Sequence, residues 1–306
     1  MRVASGGVAV RAAAGPVAAA AGSLGRSLAG SLALWLGLAA APAAARDEVP
    51  FITTPDRVTL AMLELAGVGP ADHVIDLGSG DGRIVVTAAR RYGASGLGVE
   101  IVPDLVLRSR ENARLAGVHE RVEFREQDLF ATDLGRASVI TMYLLPEVNL
   151  QLRPRLLALA PGTRIVSHDW DLGDWRPDRS VTLEVPEKVI GREKSSTVHY
   201  WRVPAQVHGL WCAPGASLDI VQRFQRFSAS LAATEQAGGA GASGAAAAPA
   251  LVFDGRIDAT SLRGEGSASA VRLELDGARL HLREIGSAGA TLQGGVFERA
   301  AATGCR

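Results

Sequence analysis

Cysteine is scarce in this chain: Cys212 and Cys305 are the two it has, and six histidines are scattered along 306 residues. Neither type falls at metal-ligand spacing, so no metal site is expected. Acidic and basic residues balance at 32 each. Without a polybasic run or a basic face, no nucleic-acid partner is expected. A His-Asp pair stands at His168-Asp169, but no serine elbow or correctly ordered triad accompanies it, which argues against nucleophilic hydrolase chemistry. What the chain has in quantity is apolar residues, 47% of the total and enough to build more than one core.

The most informative run is Asp76-Leu77-Gly78-Ser79-Gly80-Asp81-Gly82-Arg83, set between the apolar stretches His73-Val74-Ile75 and Ile84-Val85-Val86. That order reads as strand, glycine turn, helix. Glycines at alternate positions let backbone approach a ligand where a Cβ would clash, and the helix N-terminus is aimed at the same place. A dinucleotide fingerprint, G-x-G-x-x-G, would require glycine at position 83, where Arg83 stands, so a nicotinamide oxidoreductase is disfavoured. The pattern D-x-G-x-G-x-G resembles motif I of the S-adenosylmethionine (SAM) dependent methyltransferases. That resemblance implies a Rossmann-like seven-stranded α/β sheet with helices on both faces, and SAM as cofactor.

Two further acids follow at telling positions. Gly96-Leu97-Gly98-Val99-Glu100-Ile101 reads as a second buried strand, and Glu100 falls where a βαβ unit places the carboxylate that accepts the ribose hydroxyls. A helix opened by Pro103 and closed at Gly117 comes next. The alternating run from Arg121 to Leu129 then delivers Asp128 to the same sheet edge, where it can accept from the adenine amino group while Leu129 supplies a backbone donor and an apolar wall. Asp76 is expected near the ammonium of the methionine portion. SAM is a sulfonium cation without a pyrophosphate, so acids around the loop suit it better than they suit NAD.

The segment from Val49 to about Asp178 resembles one family in particular, the ATP synthase c-subunit lysine N-methyltransferases and their bacterial relatives. The matching words are Val49-Pro50-Phe51-Ile52-Thr53-Thr54-Pro55, the loop Asp76 to Val85, Tyr143-Leu144-Leu145-Pro146-Glu147-Val148-Asn149-Leu150, Leu152-Arg153-Pro154, Ser167-His168-Asp169 and Gly173-Asp174-Trp175. The resemblance covers under half of the chain. It implies transfer of methyl groups to lysine ε-amines of a protein, without naming that protein. It also implies a cofactor set of Thr54, Asp76, Gly78, Ser79, Gly80, Asp81, Gly82, Glu100, Asp128 and Leu129.

On the acceptor side, Val139 to Tyr143 reads as the fourth strand and Leu144-Leu145-Pro146 as the turn facing the methyl group. Tyr143 and Pro146 are expected to line an apolar channel, with Glu147 or Asn149 orienting the amine, and His168 and Asp169 closing the substrate side. The alternative for Tyr143 is plain core, and for Glu147 a helix cap. Small-molecule methyltransfer, and an exported module that binds a SAM-like ligand without chemistry, are the competing functions.

The ends of the chain carry other signals. Residues 1–45 have Arg2, Arg11 and Arg26, no acid, a short apolar stretch from Leu28 to Ala41 and small residues before Arg46. They read as a signal peptide or N-terminal anchor in preference to a mitochondrial transit peptide. This points to export or inner-membrane association at a bacterial envelope, in conflict with a cytosolic SAM supply. Residues 46–203 form the expected methyltransferase domain, ending in strands near Val181–Val185 and Thr197–Trp201. Residues 206–306 read as a small antiparallel β domain, sandwich or barrel, with a loose Gly/Ala-rich loop at 237–250, a hairpin signal at Asp254-Gly255 and a hairpin around Asp276-Gly277. Cys212 and Cys305 bracket this region, a pairing that an oxidising compartment permits.

Overall fold

The computed structural model describes residues 52–189, 193–233, 250–266, 269–301 and 304–305. The N-terminal segment 1–45 and the Gly/Ala-rich tract through residue 249 lie outside the described residues. Among the described residues no helix is long and apolar enough to cross a membrane.

The first half alternates helix and strand: α1 (Asp56–Leu65), β1 (His73–Leu77), α2 (Arg83–Tyr92), β2 (Ser95–Glu100), α3 (Pro103–Leu115), β3 (Val122–Glu126), β4 (Val139–Met142), α4 (Pro146–Leu157), β5 (Arg164–His168), β6 (Arg179–Glu184) and β7 (Ser195–Arg202). The strands form one seven-stranded sheet in the order β3-β2-β1-β4-β5-β7-β6. β1 to β5 are parallel neighbours, and β7 runs antiparallel to both β5 and β6. Adjacent residues in a strand face opposite sides of the sheet. Val74, Val139, Val166 and Val198 therefore pack under α1 and α2 with Val58, Met62 and Ile84. Ile75, Ile140, Ile165 and Trp201 face the other way, against Leu152, Leu156 and Trp175. Burial on both faces is why these strands read as apolar runs and not as alternating ones.

Parallel strands end on one edge. The registers Leu77 with Val99, Leu77 with Met142 and Met142 with Ser167 bring the exits of β1, β2, β4 and β5 level with one another. The chain order reverses between β1 and β4, and ligands of open α/β sheets bind at that crevice.

The remaining strands are β8 (Gly209–Ala213), β9 (Ala216–Arg223), β10 (Arg226–Ala233), β11 (Leu251–Asp258), β12 (Ser261–Gly266), β13 (Ser269–Asp276), β14 (Arg279–Ile285) and β15 (Val296–Arg299). They close into an antiparallel barrel in the order β10-β11-β12-β13-β14-β15-β8-β9. Its interior is a packed core around Trp211, Phe227, Phe253, Leu262, Leu280 and Phe297. Asp276 pairs with Arg279 across a two-residue turn in which Gly277 has φ +56°, the left-handed backbone glycine provides. Asp254-Gly255 is not a turn. β11 runs straight through it, and the chain reverses instead at Ala259 and Thr260. Glycine is needed at 255 because a Cβ there would lie 2.0 Å from the carbonyl oxygen of Arg263 on β12. A disulfide joins Cys212 on β8 to Cys305 near the chain end, across a separation of 93 residues.

Barrel and sheet touch directly. The Phe224 ring stacks on Trp175 with centroids 6.1 Å apart, and Gln225 Nε2 donates to the carbonyl of Arg176 at 2.7 Å. Arg202 pairs with Asp258 at 3.1 Å, Arg223 with Asp174 at 3.1 Å, and Arg256 with Asp178.

Candidate active site

The turn after β1 is held from two sides. The amides of Gly78 and Ser79 donate to the carbonyl of Val99 on β2, at 3.0 and 2.9 Å. The amide of Gly80 donates to Glu100 Oε2 at 3.0 Å, while Glu100 Oε1 accepts from Ile101 and Val102 at 2.8 and 3.1 Å. Gly78 and Gly82 adopt φ of +74° and +78°. A Cβ on Gly82 would also meet Phe124 and Ser109 at 2.7 Å, so here glycine serves packing as well as conformation.

Asp76 is 2% exposed and accepts a hydrogen bond from Thr141 Oγ1 at 2.7 Å. Burial pushes its pKa up to about 7; the Thr141 bond opposes this, and the nearby carboxylates of Glu100 and Asp81 add to it. Asp81 is also buried, and pairs with Arg83 at 2.7 Å. Arg83 Nη1 in turn donates to the carbonyl of Thr54 at 2.9 Å. The residue that breaks the dinucleotide fingerprint thus pins the segment before α1 to the loop. Asp128 is exposed, and its Oδ1 accepts from Phe130 at 2.8 Å, opening the 3-10 turn Leu129–Ala131.

These residues fit SAM on their own chemistry. The Ser79 hydroxyl is buried without a hydrogen-bond partner in the protein. The loop offers bare backbone, and acids stand at or just past the ends of three strands, Asp76 on β1, Glu100 on β2 and Asp128 after β3, which suits a cationic ligand. Glu100 and Asp128 would hold the ribose and adenine, and Asp76 the amino-acid end.

On the other side of β4 the acceptor residues divide. His168 is 1% exposed, with Nδ1 3.3 Å from Thr54 Oγ1 and Nε2 2.9 Å from Ser196 Oγ. Burial pushes its pKa down to about 4, against the opposing pull of Asp169, so the ring is neutral near pH 7. Tyr143 lies against it, ring centroids 3.9 Å apart. Asp169 has φ +61°, its Oδ1 accepts from Thr197 N at 2.9 Å, and its Oδ2 meets Lys188 Nζ at 2.8 Å. Burial would raise the pKa of Asp169, but Lys188, the Thr197 amide and His168 together hold it below the usual carboxylate value. Tyr143, Asp169, Trp170, Lys188, Glu193, Ser195 and Thr197 line a cavity of about 330 Å³.

Pro146, Glu147 and Asn149 do not line that cavity. Glu147 is an exposed acid in the first turn of α4, where it complements the helix dipole. Asn149 was expected to orient an amine, but it is fully buried, and its Nδ2 donates to Ser167 Oγ at 3.3 Å and to the carbonyl of Trp170 at 3.2 Å. It braces the loop after β5. The sequence reading missed Lys188 and Ser196. Ser196 had a signal: it alternates with Val198 and Tyr200 on the buried face of β7. Lys188 lies in a connection between strands and carries no periodic pattern.

This fold and loop define the class: a Rossmann-like methyltransferase that uses SAM. The family described as the ANTKMT methyltransferase domain matches residues 76–179. A protein-lysine N-methyltransferase of Saccharolobus islandicus is 40% identical over 45% of this chain and 86% of its own length. The mouse lysine N-methyltransferase of the ATP synthase c-subunit is 36% identical over 35% of this chain and 43% of its own. Among solved structures, an RNA methyltransferase from Salinibacter ruber bound to S-adenosyl-L-homocysteine is 52% identical, over 51% of this chain and 96% of that one, with a TM-score of 0.47. The chain belongs to the methyltransferase family that the archaeal and animal protein-lysine enzymes represent.

Proposed function

We propose that the enzyme methylates the ε-amine of a lysine in a protein substrate. The observation that carries this reading is the cavity between β5 and β7, which already accommodates a lysine ammonium against Asp169. A free lysine has a pKa of about 10.4 and must shed its proton before it can attack. Bound SAM supplies an electrophilic methyl group and needs no metal or covalent intermediate. Asp169 draws the ammonium in, and Tyr143 and Trp170 exclude water around it. Where the Tyr143 and Trp170 rings shield the amine from water, desolvation favours its neutral form and the proton leaves to solvent. The neutral His168 fixes Tyr143 and the segment at Thr54. No general base is required.

The relatives named for protein lysine support this reading. The N-terminal segment, by its composition, would bring the enzyme to the cell envelope, which fractionation of the native host tests directly.

The test incubates the full chain and methyl-labelled SAM with a membrane-protein extract and, separately, with total RNA. Label recovered as methyl-lysine after protein hydrolysis is the expected result. Label on RNA or on an extractable small molecule, with none on lysine, would overturn the proposal.

A further inference from the structure

The chain contains two lysines among its 32 basic residues, Lys188 and Lys194, and they stand six positions apart in the connection before β7. Everywhere else arginine supplies the positive charge. Lys188 is also the residue whose ammonium enters the acceptor cavity. Its side chain is 17% exposed, and Nζ is held by Asp169 Oδ2 at 2.8 Å and by the carbonyl of Ser195 at 2.6 Å. Lys194 is different: it is exposed, and its Nζ donates to the carbonyl of Lys188 at 2.5 Å. Its bonds to Asp169 and Ser195 place Lys188 where β5 ends and β7 begins. In the strand order that is two to three strands, about 10–14 Å, from the glycine loop at the exit of β1. A surface ion pair would not need such a setting.

We propose that Lys188 is an intramolecular occupant of the acceptor cavity and the enzyme's own methylation site. The inference rests on the protein-lysine reading and deepens it. The ammonium first leaves Asp169 and loses a proton to solvent. The lone pair on Nζ then forms a bond to the methyl carbon, and the carbon–sulfur bond breaks with its electron pair passing to sulfur. S-adenosylhomocysteine is the second product. Methylated Lys188 keeps its charge but loses one hydrogen-bond donor for each methyl gained, which weakens its hold on Asp169 and Ser195.

The experiment uses the untagged full chain with SAM alone, read by intact mass and by peptide mapping. One to three methyl groups at Lys188 are expected, with a rate per molecule independent of protein concentration. Lys188→Arg, which preserves the pair with Asp169, should lose nearly all of that mass shift, whereas Lys194→Arg should keep it. A second reading needs no SAM. Lys188→Ala should bind a short lysine-bearing peptide about tenfold more tightly in calorimetry, because the cavity is vacated. Methyl groups on Lys194 or the N-terminus only, or a rate proportional to concentration, would overturn the inference. So would methylation of lysines in added proteins with none at Lys188, a result that leaves the protein-lysine function standing. Absence of methyl-lysine on any protein would overturn both.

Discussion

The carboxylate of Glu100 at the end of β2 accepts a hydrogen bond from the backbone amide of Gly80 in the loop after β1, 3.0 Å away. One oxygen thus shapes the loop while the other ties down Ile101 and Val102 at the entrance to α3. A hydrogen bond to an ionised group contributes about 1.5–3 kcal/mol, and each 1.4 kcal/mol is tenfold in affinity. Glu100→Ala should weaken SAM binding by about 10- to 100-fold. Glu100→Gln, which retains one acceptor oxygen, should lose less. Calorimetric titration with SAM measures both, and equal affinity in Glu100→Ala and the native chain would sever Glu100 from the cofactor.

Asp76 and His168 pull the pH dependence of stability in opposite directions. Burial raises Asp76 from 3.8 to about 7, so the native state keeps its proton where the unfolded chain releases it. Its contribution is complete below about pH 4 and is lost as pH rises through 7, a span on the order of 4 kcal/mol at most. Asp76→Asn cannot ionise, and should unfold with a stability curve that no longer falls between pH 4 and 7. Chemical denaturation across that range tests this; an unchanged pH slope would refute a protonated native Asp76.

The limits of sequence reading are visible in particular residues. The glycine loop and the acids at 76 and 100 were legible because close backbone approach leaves few alternatives to glycine, and strand ends place acids at regular intervals. Gly255 misled because glycine serves two ends. The turn reading of Asp254-Gly255 is local, whereas the actual need is a crossing with Arg263 on a neighbouring strand. On β12, Gly266 meets the same need: a Cβ there would lie 2.2 Å from the carbonyl oxygen of Val252. Asn149 lies on the buried stripe of α4 with Leu152 and Leu156, three and seven positions on, so the helical spacing already turned it inward, away from an acceptor channel. Lys188 was invisible to pattern, because its place in the cavity depends on the β5–β7 pairing that holds Asp169 against Thr197.

His168 shows the opposite sign from Asp76. Burial lowers it from 6.5 to about 4, so the unfolded chain takes up a proton that the native state refuses. Stability therefore rises with pH between about 4 and 6.5, by on the order of 3 kcal/mol. His168→Gln keeps hydrogen-bonding capacity toward Thr54 and Ser196 but cannot titrate. Relative to the native chain it should gain stability toward pH 4 and show little difference from its own baseline above pH 7. The same denaturation series decides it: a constant offset from the native chain at every pH would mean that the ring is not held neutral.

The barrel supplies the last prediction. Its β8 strand pairs with the four-residue β15 through only Glu298 with Cys212 and Arg299 with Trp211, the shortest seam in the closed circle. The Cys212–Cys305 bond crosses at this seam and closes a span of 93 residues. Constraining so long a loop in the unfolded chain is worth about 2–4 kcal/mol. Replacing both cysteines by serine should lower the barrel's melting temperature by about 10 °C. Added reductant should do the same to the native chain and nothing further to the variant. The sheet is built without the bond, so SAM binding at moderate temperature should survive the substitution. Identical melting of the native chain with and without reductant would mean that the bond contributes nothing to closing the barrel, leaving the seam to its two paired residues and to the Trp211 and Phe297 side chains packed behind them.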